Sequence, residues 1–383
     1  MALDTETLDE LLRTVRRFVD QKLIPREAEL ARTDRVPPEL IDEMRALGLF
    51  GLSIPPEYGG LGLAMSEEIQ VAFELGRTSP AFRSVFGTNI GIGSQGIVID
   101  GTEAQKKRWL PKLASGEIIA SFALTEPDSG SDAGSLRTSA RRDGDHYVLN
   151  GTKRYITNAP HAGLFTVMAR TNPNEKGARG VSAFLIEAGT PGLSIGKPDK
   201  KMGQQGAHTA DVVFQDCRVP AEALIGGQEG IGFKTAMKVL DRGRLHIAAV
   251  CVGTAERLIE ESVRYARERK QFGKTIGEFQ LIQAMLADSR TEAYAARCMV
   301  VDAVGRRDAG QNVSEEAACC KLFASEMVGR VADRAVQIFG GAGYMAEYPI
   351  ERFYRDVRLF RIYEGTSQIQ QLVIARHMLE AAG

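Results

Sequence analysis

The chain is poor in the residues that mark several protein classes. It holds one tryptophan, five cysteines and five histidines among 383 residues. The histidines form no HExxH and no cluster, which excludes the common zinc patterns. Cys217, Cys251, Cys298, Cys319 and Cys320 are odd in number and lack ligand spacing, so they read as reduced thiols of a cytoplasmic protein. Excess charge is also missing. Forty-eight basic against 49 acidic residues leave a net charge of −1, giving no reason to expect nucleic acid or an anionic membrane as a partner. No long apolar run occurs either: the uncharged stretch from Ser84 to Ile99 is broken by four glycines and several polar residues, against a membrane span. The N-terminus is acidic and leads into an amphipathic helix, unlike a signal peptide.

What is present is an ordinary globular composition, 44% hydrophobic and 25% charged, arranged in three regions. Residues 1–117 carry helical periodicity, with Leu8, Leu11, Leu12, Val15, Phe18 and Val19 on one face. Residues 118–229 change to strand periodicity. Asp143-Gly144 and Asn150-Gly151 are tight-turn signals there, the second expected to join His146–Leu149 to Thr152–Thr157 as a hairpin. No helix alternates with these strands, so an antiparallel barrel or sandwich is expected. Residues 230–383 return to long amphipathic helices, which predict a bundle. The fold class is therefore α+β and multidomain, in the order α, β, α.

Gly91-Ile92-Gly93-Ser94-Gln95-Gly96 fits GxGxxG but lies in a helical region without the strand that a dinucleotide fold requires. It reads as a helix break or a close packing point. Phe122 to Asp132, FALTEPDSGSD, runs from a strand into a loop rich in hydroxyls and free N–H groups. Tyr155 and Thr157 stand two apart on one strand, where a planar ligand could meet both ring and hydroxyl. Arg267-Glu268-Arg269-Lys270 ends a helix with cations, and Gln337 to Tyr344 ends another in glycines. Each of these also fits an ordinary turn, strand or cap. Near the C-terminus Glu364 lies between Tyr363 and Gly365, just ahead of a helix start at Thr366 and Ser367. Desolvation by the ring would raise its pKa from roughly 4.3 toward the range of a general base. The alternative is an exposed loop acid.

Five segments in fixed order carry a resemblance: FALTEPDSGSD (122–132), NGTKRYITNA (150–159), RKQFGKTIGEFQ (269–280), QIFGGAGYMAEYPIER (337–352) and RIYEGTSQIQ (361–370). Together the chain resembles an acyl-CoA dehydrogenase over essentially its whole length. The resemblance implies a helical N-terminal domain, a β-barrel middle domain and a C-terminal four-helix bundle. It implies Glu364 as the base that removes an α-proton of an acyl-CoA thioester while FAD accepts the β-hydride, leaving a trans-2-enoyl-CoA. By matched position, Phe122, Leu124, Thr125, Ser131, Tyr155, Ile156 and Thr157 would meet the flavin, with Thr366, Ser367 and Gln368 on the base's own loop. Arg269, Gln271, Phe272, Gln280, Gln337, Gly340 and Gly341 would bind the FAD of a neighbouring subunit in a homotetramer. Ser131, Asp241, Arg244 and Gly365 would contact acyl-CoA, and electrons would pass to electron-transfer flavoprotein.

Departures from the family pattern sharpen the expectation. Many relatives have tryptophan at the position of Tyr155. Some branched-chain relatives carry the base where this chain has Gly243, which favours Glu364 as the sole base. Arg83 and Ser84 match a segment of glutaryl-CoA dehydrogenases whose arginine pairs with a far carboxylate, but their acid is replaced here by Gly76. Arg83 is thus expected either to bind a polar or acidic acyl tail, or to form a structural pair or point to solvent. Acyl-CoA oxidases and related oxygen-using flavin enzymes share the fold and are the alternative reaction; a non-catalytic flavin or CoA scaffold is the third reading.

Overall fold

A computed structural model describes residues 3–175 and 177–382; the outermost residues of the two expected end domains lie outside these ranges. Seven helices come first: α1 (Thr5–Phe18), α2 (Glu27–Thr33), α3 (Pro38–Ala46), α4 (Met65–Leu75), α5 (Pro80–Thr88), α6 (Gln95–Asp100) and α7 (Glu103–Ala114). Proline at the first helical position starts α3 and α5, where its missing N–H costs nothing. The GxGxxG segment is a helix break, as the flanks imply: a π-helical turn over Asn89–Gly93 precedes α6. A Cβ on Gly93 would lie 2.7 Å from the Ala120 carbonyl oxygen, so glycine there permits helix and sheet to touch.

The middle region forms a curled sheet of β1 (Ala120–Ala123), β2 (Ser139–Asp143), β3 (His146–Thr157), β4 (Leu164–Arg170), β5 (Val181–Glu187), β6 (Leu193–Ile195) and β7 (Thr209–Pro220). Most pairings are antiparallel, but β1 and β2 each lie parallel to β4, so the sheet is mixed. The expected hairpin at Asn150-Gly151 does not form. β3 runs straight through it, and the hairpin turn is the other signal, Asp143-Gly144, between β2 and β3. Asn150 and Gly151 instead make a bulge against β7, where Asn150 exchanges hydrogen bonds with Asp216. Gly151 passes so close to Thr138 that a Cβ would overlap its Cα at 2.7 Å.

The C-terminal helices are α8 (Gly232–Glu268), α9 (Gln280–Asp308), α10 (Ser314–Phe339), α11 (Ile350–Val357) and α12 (Ser367–Ala381), with a two-stranded ribbon, β8 (Lys270–Gln271) and β9 (Lys274–Thr275), before α9. Leu245, Val252 and Leu258 of α8 pack with Val300, Val304, Val328 and Val331 of its neighbours in one core that also takes Ile69 and Phe73 of α4. α4 and α8 touch backbone to backbone. A Cβ on Gly76 would meet the Val250 carbonyl at 2.5 Å, and one on Gly253 the Phe73 carbonyl at 2.0 Å. Gly76 therefore has no room for the acid that glutaryl-type relatives place there. Asp308, at the end of α9, accepts from Met65 N and Ser66 N and so caps α4, joining the helical regions.

Candidate active site

Glu364 sits in the turn between α11 and α12 with φ +57°, and Gly365 follows at φ +87°. Left-handed backbone at a non-glycine residue costs roughly 1–3 kcal/mol and persists only where neighbours enforce it. Those neighbours are visible. Lys321 Nζ donates to the Gly365 carbonyl at 2.7 Å, and Gln370 Nε2 donates to the carbonyls of Gly365 and Glu364 at 3.0 and 3.1 Å. Thr366 Oγ1 accepts from Ile369 N as the N-cap of α12, and Ser367 Oγ donates to Glu326. The main chain is thereby pinned while the Glu364 carboxylate is left free to act.

That carboxylate faces a narrow cavity of about 40 Å³ lined by Arg83, Ser84, Gly87, Thr157, Gly243 and Tyr363 among others. Glu364 is half-buried as a residue, yet its Oε2 is sealed from solvent and has no hydrogen-bond partner. Burial raises its pKa, opposed by the positive charges of Arg83, Arg244 and Lys321. Lys321 is itself fully buried; desolvation lowers its pKa to about 8, against the pull of Cys251 and Glu364. Gly243 faces the acid directly: a Cβ there would lie 2.4 Å from Glu364 Oε2. A larger open hollow of about 690 Å³, around Gln105, Trp109 and Leu224, shares no lining residue with this cavity.

One wall comes from the sheet. Arg154 N donates to the Thr125 carbonyl, and Lys153 Nζ donates to the Leu124 carbonyl at 3.1 Å and to Glu126 at 2.7 Å. Glu126 also accepts from Arg137 N and Thr138 N. The buried Lys153–Glu126 pair thus clamps the 122–125 strand end against 153–157. Tyr155, at φ +58°, sits at a register shift in β3 between Lys153 and Ile156: it is exposed beside Arg154, whose guanidinium carbon lies 4.8 Å from the ring centroid, while Ile156 enters the sheet core. Thr157 lines the Glu364 cavity, and Phe122 and Leu124 are buried behind the wall.

The remaining expected residues divide into two groups. Arg244 is buried, its Nη1 donating to Asp241 at 2.7 Å, and Asp241 accepts from Ser314. Ser131, Arg269, Gln271, Phe272, Gln280, Gln337, Gly340, Gly341 and Gln368 are exposed and do not line the cavity. Phe272 is 92% exposed with φ +53°, a costly way to present a ring to water unless something covers it. Arg83 is buried in the cavity, so its solvent-facing alternative is overturned. Sequence reasoning missed Lys321, Gln204, Glu68 and His246. Lys321 carried a usable signal, standing among Ala317, Ala324, Val328 and Val331 on the buried stripe of α10.

Residues 5–117, 121–217 and 230–379 match the N-terminal, middle and C-terminal domains of acyl-CoA dehydrogenase. Acryloyl-CoA reductase (NADH) of Anaerotignum propionicum is 44% identical over 98% of this chain and 95% of its own. An acyl-CoA dehydrogenase of Bacillus subtilis (strain 168) is 42% identical over 95% of this chain and 96% of its own. Among solved structures, butyryl-CoA dehydrogenase from Megasphaera elsdenii superposes with a TM-score of 0.94 at 38% identity, covering 99% of this chain and all of the other. A chain in the structure of the electron transferring flavoprotein of Acidaminococcus fermentans gives 0.94 at 39%, with 99% and 100% covered. Acyl-CoA dehydrogenase complexed with FAD from Bacillus anthracis gives 0.92 at 36%, with 99% and 68% covered.

Proposed function

The chain belongs to the acyl-CoA dehydrogenase family, and from that premise we propose that it dehydrogenates an acyl-CoA thioester between Cα and Cβ, with Glu364 as the base. The observation that carries the assignment is the Glu364 Oε2 atom, buried, without a partner and aimed into a cavity. The same orphaned oxygen and the wall of Leu124, Thr125, Tyr155 and Thr157 fit FAD, which when bound supplies the hydride acceptor. Phe122, Ser131, Ile156, Thr366, Ser367 and Gln368 would complete its contacts. Glu364 takes the α-proton at Oε2. Its raised pKa makes it a stronger base than a solvated carboxylate, and Arg83, Arg244 and Lys321 keep it ionised enough to act. Asp241, Arg244, Ser131 and Gly365 orient the thioester.

Exposed Phe272, Leu281, Tyr294, Leu372 and Leu379 support burial between subunits of a homotetramer, where Arg269, Gln271, Gln280, Gln337, Gly340 and Gly341 would reach a neighbour's FAD. Electrons would leave to electron-transfer flavoprotein. Five free cysteines support a reducing, cytoplasmic setting, and no helix among the described residues is long and apolar enough to cross a membrane. The identity to an acryloyl-CoA reductase favours a second reading, the same site run in reverse with Glu364 returning the proton. Anaerobic titration with butyryl-CoA and crotonyl-CoA decides the direction. Glu364→Gln should keep the yellow colour and lose flavin bleaching by at least about a hundredfold. Normal bleaching by that variant would end the assignment.

A further inference from the structure

The segment between β6 and β7 crosses the molecule where its three regions meet, and it is held from both sides. Towards the N-terminal helices, Gly206 N donates to Asp34 Oδ1 at 2.6 Å and His208 Nε2 donates to the Asp34 carbonyl at 2.7 Å. Towards the C-terminal helices it lies on α11. Arg355 Nη1 donates to the Met202 carbonyl at 3.0 Å, Gln204 N donates to Asp356 Oδ1, and Gln204 Nε2 donates to the Asp356 carbonyl at 3.1 Å. There is no slack in this fit: a Cβ on Gly203 would lie 2.7 Å from Asp356 Oδ1 and 2.8 Å from the Arg355 carbonyl carbon. Between the two clasps Gln204 turns inward. It is 4% exposed and lines the Glu364 cavity together with Gly243 and Tyr363. Its φ of +53° is a conformation that persists only where the surroundings enforce it.

Asp356 is the residue that enforces it. Its carboxylate is 1% exposed, and the arginines flanking it on α11 are engaged elsewhere. Arg352 Nη2 donates to Glu27 at 2.9 Å, and Arg355 Nε and Nη2 donate to Glu351 at 2.7 and 2.9 Å. Burial pushes the Asp356 carboxyl up to about 6, with Glu27 adding to the rise. The Gln204 N–H is the foremost pull the other way, ahead of Arg352 and Arg355. A carboxylate so deeply buried is costly unless it is hydrogen-bonded, and the main chain of the crossing segment supplies that bond. Another wall of the cavity is fixed separately: Arg83 Nε donates to His246 Nε2 at 3.3 Å, and His246 Nδ1 donates to Glu68 Oε1 at 3.0 Å. The Gln204 wall therefore depends on Asp356 alone among these acids.

We propose that Asp356 is a positioning residue for the reaction: by seating Gln204 it closes the cavity against water and so keeps the Glu364 carboxylate desolvated. The Glu364 Oε2 atom is sealed and has no hydrogen-bond partner, so any water admitted past Gln204 would bind there first. Solvation would remove the burial that holds the Glu364 pKa up and leave Arg83 of α5, Arg244 of α8 and Lys321 of α10 pulling it down; Tyr363, on the same turn, stays un-ionised because burial raises its own pKa. The base would then be weaker and less well held. This inference rests on the reading of Glu364 as the base given above.

The test measures kcat and KM for butyryl-CoA as a function of pH, by anaerobic flavin bleaching on the FAD-loaded enzyme. Asp356→Ala, which removes the acceptor for Gln204 N, should lower kcat about tenfold and leave KM little changed. It should also move the acid limb of kcat to lower pH, toward the value of roughly 4.3 of a solvated glutamate. Asp356→Asn, whose amide oxygen can still accept from Gln204 N, should restore most of both. Should Asp356→Ala fail to fold, Gly203→Ala, whose methyl drives the crossing segment off Asp356, should shift the limb in the same sense. An acid limb that stays at its wild-type position, or an equal loss in Asp356→Asn and Asp356→Ala, would overturn the proposal and leave Glu364 standing as the base. Normal bleaching by Glu364→Gln would instead overturn that underlying reading.

Discussion

Gly243→Ala isolates the placement of the proposed base from its chemistry. The added methyl would lie 2.4 Å from Glu364 Oε2, 3.0 Å from Cδ and 3.2 Å from Oε1, whereas ordinary contact begins near 3.4 Å. The carboxylate must therefore retreat by about 1 Å, and it can, because it ends a flexible side chain. A misplacement of that size costs on the order of a hundredfold in rate. Alanine in a helix is more stable than glycine by about 0.5–1 kcal/mol, so the melting temperature should hold or rise slightly. Gly253→Ala, ten residues along the same helix, is the contrast. Its methyl would strike the Phe73 carbonyl at 2.0 Å and Gly76 Cα at 2.9 Å, backbone that cannot swing away. Overpacking of that kind costs about 1–3 kcal/mol. Stopped-flow flavin bleaching at saturating butyryl-CoA, with circular dichroism melts, reads both effects. Bleaching within threefold of wild type for Gly243→Ala would refute the geometric argument, as would a melting loss equal to that of Gly253→Ala.

Other outcomes follow from the same environment. Burial raises the Glu364 pKa, so its contribution to stability is intact below the unfolded value of about 4.3 and is lost as pH rises through the folded one. Glu364→Gln has no such loss, so its melting temperature should gain on wild type from pH 5 to pH 8; a constant difference would contradict the assigned burial. Arg83→Met removes the leading positive charge near Glu364, and the acid limb of kcat/KM for butyryl-CoA should move to higher pH. Lys321→Met withdraws the donor to the Gly365 carbonyl and should lower kcat about tenfold without lowering the melting temperature, since desolvation of the ammonium is also removed. Glu126→Gln weakens the clamp between 122–125 and 153–157 and should increase flavin loss on gel filtration.

The helix–sheet–helix order was legible because hydrophobic period changes where the secondary structure does, and Glu364 could be put forward because its motif is contiguous. Asn150-Gly151 misled because a bulge and a hairpin demand the same residues; only the close approach of Thr138 and the pairing with Asp216 separate them. Parallel pairing of β1 with β4 is a long-range choice with no local signature. The Glu68–His246–Arg83 array was hidden for a related reason. Each member looks like an ordinary polar residue in its own helix, and only tertiary packing brings the three side chains together.

The cavity takes its walls from Arg83, Thr157, Gln204, Gly243 and Glu364, which span most of the chain. Closing such loops is entropically slow, so these contacts should be among the last to form as the protein refolds. Helical signal should return first from the locally stabilised α8–α10 region, with tight flavin retention and bleaching appearing afterwards. In a cell, newly made chains would then pass through a folded-looking but inactive stage, which early cofactor loading would shorten by favouring the assembled site.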